Sequence, residues 1–301
     1  MVFSAEVMCL FGEYDMQRLM TITLAIFFVI ISNYCNGQEA RQLIQPPSKQ
    51  LIEQFDLDPF YEKALVINGF PILASRKVSD AAIYEAANTV RAMLVNRPDI
   101  LATLSRNRIR LAIMAVDERT TDLPEHSDLT PAKHWDRRAR GLGATRIRPA
   151  VSCAEENLLN LSGDPYATES ILVHEFAHAI HLMAVNDIDK NFDQRLESAY
   201  RDAIKEGLWK GLYAADNSRE YFAEAVQSWF DTNRENDSIH NHVDTREELL
   251  EYDPAVAKLC LEVFGENDWR YVRSDAPSRQ HEPHLKLLDR AKLPRFRWDD
   301  R

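Results

Sequence analysis

The chain has 301 residues, 45% of them hydrophobic and 28% charged, enough for one large domain with a core of ordinary depth or for two small ones. Its 36 basic and 47 acidic residues leave a formal charge of −11, which argues against a nucleic-acid binder with a basic stripe. Nine Gly, 13 Pro and four Cys argue against collagen-like, low-complexity and small disulfide-stapled chains.

Leu19 to Ile31 is an uncharged apolar stretch too short to cross a bilayer of roughly 30 Å comfortably. Arg18 precedes it, and the small and polar residues Ser32 to Gly37 come after it. That order is the pattern of a secretory signal peptide over residues 1–37. The acidic Glu6, Glu13 and Asp15 are unusual in a signal, which makes Met16 a candidate start. Cleavage implies a secreted or periplasmic protein with no stable membrane insertion; an uncleaved segment 19–31 implies a membrane anchor. Of the four cysteines only Cys153 and Cys260 then remain, to pair or to stay as buried thiols.

Residues 38–58, with Pro46 and Pro47, read as a lead-in segment. The pattern from Pro59 to Asn96 favours helix, with Ser79 as the N-cap of the apolar-periodic stretch beginning at Asp80. Arg110 to Val116 is a short apolar run expected as a buried strand, and Pro149 to Cys153 is a second strand candidate. Thr120 to Ala144 reads as a long surface loop or lid. Helices are expected over 171–185, 192–208, 220–231 and 254–264. The Glu155–Asn157 run reads either as cleft lining or as a solvated turn. These elements give an α+β domain over 59–272, mostly helical with a small mixed sheet, and then a basic, loosely packed tail over 273–301.

His174-Glu175-Phe176-Ala177-His178 fits HExxH. Positions four apart share one helical face, so His174 and His178 can converge on a single metal ion. Glu175 projects beside them, placed to act as general base on water rather than as a ligand. The surrounding helix is apolar almost all round, yet Ser170, His174, His178 and His181 form a polar stripe along it. Buried and unpaired, each such group would cost about 1–3 kcal/mol, so the stripe calls for partners or a metal. The metzincin extension fails, since His181 and Ala184 stand where a glycine and a histidine are required. Donors lie downstream instead: Glu220, Glu224, Gln227 and Asp231 share one stripe of a second apolar helix. Carboxylates at i and i+4 suit one ligand and one acceptor that orients a histidine N–H.

HEFAHAIH with EYFAEAVQSWF downstream resembles the gluzincin metallopeptidases, including the catalytic domain of anthrax lethal factor and the Pro-Pro endopeptidases. The resemblance covers about residues 171–231 and implies a zincin-like fold and one Zn2+. It implies Glu220 as third ligand beside His174 and His178, and Tyr213 as a donor to the oxyanion. Glu224 and His181 are expected around the ligands. The implied activity is zinc-dependent hydrolysis of peptide or protein substrates with Glu175 as general base. Two rival readings stay open: a zinc-stabilised binding module without turnover, and a zinc hydrolase acting on something other than peptides.

Overall fold

The computed structural model describes residues 43–298, and residues 44–298 belong to one compact unit. The signal-peptide reading lies outside the described residues. The lead-in segment contains α1 (Lys49–Phe55), capped by the Ser48 side chain, which accepts from the Leu51 N–H at 3.2 Å.

A hairpin stands next, where helix was expected: β1 (Lys63–Ile67) and β2 (Phe70–Ala74) are antiparallel, with Ile67 opposite Phe70. Asn68 and Gly69 turn the chain with φ of 47° and 87°, the two left-handed residues that a tight hairpin requires. That dipeptide outweighs the apolar periodicity around it. Helix begins only at Ser79, which caps α2 (Asp80–Met93) by accepting from Ala82 N–H. After α3 (Pro98–Arg106) come β3 (Arg110–Met114), β4 (Gly141–Leu142) and β5 (Ala150–Ala154).

The five strands form one mixed sheet in the order β1-β2-β3-β5-β4. The central strands β2, β3 and β5 run parallel, with Ile72 beside Leu111 and Arg110 beside Ala150. β3 and β5 are buried along their whole length, as apolar strands covered on both faces must be. Leu111 and Ile113 point into the main core, while Ala112 and Met114 point into a smaller layer with Leu51, Phe55 and Leu57. β4 is an edge strand, antiparallel to β5 with Gly141 opposite Cys153. It lies inside the stretch expected as a loop; two residues carry too little pattern to be read as a strand.

The helical half is built from α4 (Ile171–Ile180), α5 (Phe192–Glu206), α6 (Ser218–Trp229), α7 (Arg246–Tyr252) and α8 (Pro254–Phe264). Within the described residues no helix is long and apolar enough to cross a membrane. Cys153 and Cys260 are both buried and free.

Two expectations fail on burial. Glu155, Glu156 and Asn157 are buried, so they form no solvated turn, and none of them lines the cleft that holds His174 and His178. Glu156 pairs with Arg140 at 3.0 Å with both side chains fully enclosed, and Asn157 Oδ1 accepts from Ile171 N–H at 2.8 Å. The C-terminal segment is packed rather than loose. Arg279 donates to Glu85 of α2 at 2.7 and 2.9 Å, His284 meets the same carboxylate at 2.8 Å, and Leu285 and Phe296 are buried. The Phe296 ring lies 4.7 Å from the Arg140 guanidinium. A basic composition reads as a solvated tail until its cations find buried acids.

Candidate metal centre

The helix α4 is fixed at its start by two acceptors. Ser170 takes the Val173 N–H with its side chain, and Asn157 takes the N–H of Ile171. Ile171, Leu172, Val173, Phe176, Ala177, Ala179 and Ile180 are buried around it, which leaves one face for His174, Glu175 and His178. After Ile180 the chain continues through a π-helical turn, His181–Val185. Such a turn shifts the helical register of the residues beyond it. His181 opens that turn with its own N–H still bonded to Ala177 O; its side chain makes its hydrogen bond with Asp193, at 2.7 Å, and its ring meets Phe192 and Phe222 edge-on. It bonds to none of the candidate ligands among the described residues. Burial pushes its pKa down despite Asp193.

The α6 helix supplies the third donor from its first turn. Asn217 Oδ1 accepts from the N–H groups of Arg219 and Glu220 at 2.9 and 3.1 Å, so the helix starts where Glu220 reaches α4. The Glu220 carboxylate lies 3.2 Å from His174 Nε2 and 3.3 Å from His178 Nε2, and the two imidazole nitrogens are 3.2 Å apart. Three donors about 2.0–2.1 Å from one tetrahedral ion stand about 3.3 Å from one another. The observed triangle therefore fits zinc in both donor chemistry and spacing. These side chains also favour positive charge at this point: burial opposes a proton on His174, but Glu220 and Glu224 hold its pKa well above the usual value. Burial likewise opposes charge on Glu220, and the two imidazoles nevertheless hold its carboxyl far below the usual range.

Behind the triangle, His174 Nδ1 meets Gln227 Oε1 at 2.8 Å and Glu224 Oε1 at 3.3 Å. With its proton on Nδ1 and donated to these acceptors, His174 presents the Nε2 lone pair to the centre. Gln227 is itself held by Glu169, to which its amide donates at 3.1 Å. Glu224 is further tied to Asn233 at 3.2 Å and to His240 at 3.4 Å, and His240 Nδ1 meets Asp237 at 2.8 Å. The stripe on α6 thus divides by depth. Glu220 faces the centre, Glu224 and Gln227 support His174, and Asp231 lies away from them with Arg246 N–H and Arg270.

Glu175 is half-buried, and burial raises its carboxyl pKa against the opposing pull of His174 and His178. The chain before β5 passes close over it. A Cβ added at Gly141 would run into the Ile171 side chain and lie 3.1 Å from Glu175 Cγ; one at Gly143 would lie 2.9 Å from His178 Cβ. Only glycines let this edge approach the helix so closely. Tyr213, in the single turn Tyr213–Ala215, stacks its ring 6.1 Å from that of His174, and its backbone N–H is held by Ile239 O. Burial, then the Glu220 charge, push its hydroxyl pKa well up, so the group is a neutral donor.

His174, Glu175, His178, Tyr213, Glu220, Glu224 and His240 line one cleft of about 520 Å³. The structure brings six of the seven residues expected from the sequence to this cleft and leaves His181 to one side of the ligands. It adds Gln227, His240, Gly141 and Gly143. Gln227 was visible on the acidic stripe; nothing in the irregular stretch around His240 marked that residue.

No family model matches this chain, and no curated protein matches it in sequence. Among solved structures it is similar to a Pro-Pro endopeptidase from Paenibacillus alvei. That likeness has a TM-score of 0.42 and 17% sequence identity, over 64% of this chain and 97% of the other.

A second group of donors also comes together. Glu85, Glu282 and His284 lie within ligand reach of one another. Arg279 stands between them, however, donating to Glu85 at 2.7 and 2.9 Å and to Glu282 at 2.7 and 2.8 Å. The guanidinium already supplies the positive charge, so this cluster reads as an ion-pair network.

Proposed function

We propose that the chain is a zinc-dependent metallopeptidase of gluzincin type with a zincin-like fold. The observation that carries this reading is the triangle of His174, His178 and Glu220 donors with Glu175 beside it in one open cleft. Zinc, when bound by those three residues, supplies Lewis acidity that polarises a peptide carbonyl and makes water a nucleophile near neutral pH. Glu175 takes the proton of the attacking water and returns it to the departing amine, the two halves of a general base and general acid cycle. Its raised pKa suits both halves. Tyr213 donates its hydroxyl proton to the oxygen on which negative charge develops. Gln227 and Glu224 keep His174 in the tautomer that leaves Nε2 free.

The free edge of β4 runs along the same cleft and offers main-chain hydrogen bonds to an extended peptide. Export by residues 1–37 belongs to this reading and is tested by sequencing the N-terminus of the secreted product. The activity itself is tested by incubating zinc-loaded wild type and Glu175→Gln with a peptide mixture and identifying the products by mass. Cleavage by the wild type and none by the variant support the reading; equal cleavage, or none by a fully zinc-loaded wild type, overturns it.

A further inference from the structure

The charged side chains of the cleft can be sorted by what each already holds. Arg140 is enclosed with Glu156, and Arg234 is paired with Glu169. Glu224 is taken up by His174 and Asn233, and Glu175 and Glu220 belong to the centre itself. Arg138 and Arg219 remain. Both line the cleft, both are exposed, and among the described residues neither has a carboxylate at ion-pair distance. In a chain with 11 more acidic than basic residues, two cations of one cleft left without acids are informative about what the cleft receives.

Both guanidiniums are carried on ordered backbone. Arg138 lies 5.8 Å over the Trp135 ring, and its carbonyl accepts from the Tyr166 hydroxyl at 2.6 Å. Arg219 occupies the first turn of α6, its N–H held by Asn217, immediately before Glu220. Arg138 stands on the chain leading into β4 and Arg219 on α6, so the two cations line the cleft from different elements. Among the described residues neither bonds to a ligand side chain, and neither is needed to hold the centre.

We propose that the cleft selects acidic peptides, with one substrate carboxylate meeting Arg138 and another meeting Arg219. Planar guanidiniums suit carboxylates because each can give two parallel N–H bonds to one carboxylate. The inference rests on the peptidase reading, but binding can be measured without turnover. The experiment uses the zinc-loaded Glu175→Gln protein, which keeps bound peptide intact, with short fluorescein-labelled peptides. One carries alternate glutamates, the second glutamines at the same positions, the third lysines.

By fluorescence anisotropy the glutamate peptide is expected to bind about tenfold tighter than the glutamine peptide, and the lysine peptide weakest. Arg138→Gln and Arg219→Gln should each remove a several-fold share of that preference without changing affinity for the glutamine peptide, a split that general loss of folding would not produce. Arg138→Lys and Arg219→Lys should keep part of it, and added salt should reduce it. Equal binding of the glutamate and glutamine peptides, or a preference that survives in the double glutamine variant, overturns the proposal. Wild-type protein that binds the glutamate peptide selectively and cuts no peptide would overturn the peptidase reading alone. Protein that cuts acidic and neutral peptides equally well and binds them alike would overturn the acidic preference alone.

Discussion

Two regions of this molecule bring two acidic or imidazole donors and a third within ligand reach of one another, and they are settled differently. Around Glu85 the donors Glu282 and His284 are joined by the guanidinium of Arg279, which bonds both carboxylates in two-pronged fashion. Around Glu220 the donors His174 and His178 have no such cation from the described residues, and their lone pairs converge on a cleft open to solvent. Residue types alone do not separate the two: each has histidine and glutamate, and each is partly buried. What separates them is whether positive charge is built into the fold or left for a ligand. Desolvated carboxylates require it from one source or the other.

The comparison can be broken at either end. In the open cluster, Glu175→Gln should keep zinc bound and lower kcat about 10²–10⁴-fold, the range of a lost general base, as read from steady-state kinetics on any peptide that the wild type cuts. In the closed cluster, Arg279→Met removes the built-in cation and leaves Glu85, 2% exposed, with the His284 ring as its remaining partner. A loss of about 3–5 kcal/mol is expected by urea denaturation, with zinc affinity unchanged. A variant of wild-type stability would mean that Arg279 does not close the cluster.

A smaller effect tests how the open cluster is held. Gln227→Ala takes away the nearest acceptor of His174 Nδ1, and zinc affinity measured by chelator competition should fall about 10–100-fold. Unchanged affinity would assign the orienting role to Glu224 alone. The smallest effect concerns pH. Burial opposes it, but the backbone N–H of Ile239 and the His240 ring depress Asp237 to about 2. A carboxyl depressed in the folded state contributes stability above its unfolded pKa of about 3.9, and that contribution is lost as pH falls through about 2. Asp237→Asn should therefore lower stability at neutral pH slightly, by an amount reduced because Asp237 is exposed, and flatten the acid limb between pH about 4 and 2 so that the two proteins converge near pH about 2. A limb identical to wild type would remove Asp237 from this account.

Much of this arrangement was legible in the chain, for reasons that differ by element. The His174–His178 spacing, the cap at Ser79, the strand over Arg110 to Met114 and the helix from Pro254 to Phe264 are local signals, complete within one turn or one run. The mixed sheet with helices arises from the same elements. Misreadings came where one local rule overrode another or where the partner is remote. Asn68-Gly69 imposed a hairpin on an apolar stretch that also satisfied helical periodicity. His181 bonds Asp193 at the start of the next long helix, a partner that helical spacing within its own helix does not announce. Arg140 with Glu156, and Arg279 with Glu85, are pairs distant enough in sequence that composition could only suggest solvated charge. The approach of Gly141 and Gly143 to α4 is equally non-local, since a glycine in a loop-like stretch gives no sign of the helix it will meet.

The central claim is that His174, His178 and Glu220 hold one zinc while Glu85, Glu282 and His284 hold none. Metal content after dialysis against a weak chelator, measured by mass spectrometry on wild type, His178→Ala and Glu282→Gln in parallel, tests it most directly. One zinc per chain in wild type and Glu282→Gln, and almost none in His178→Ala, is the predicted result. A wild type that retains no zinc, or a His178→Ala variant that retains as much as wild type, would contradict it.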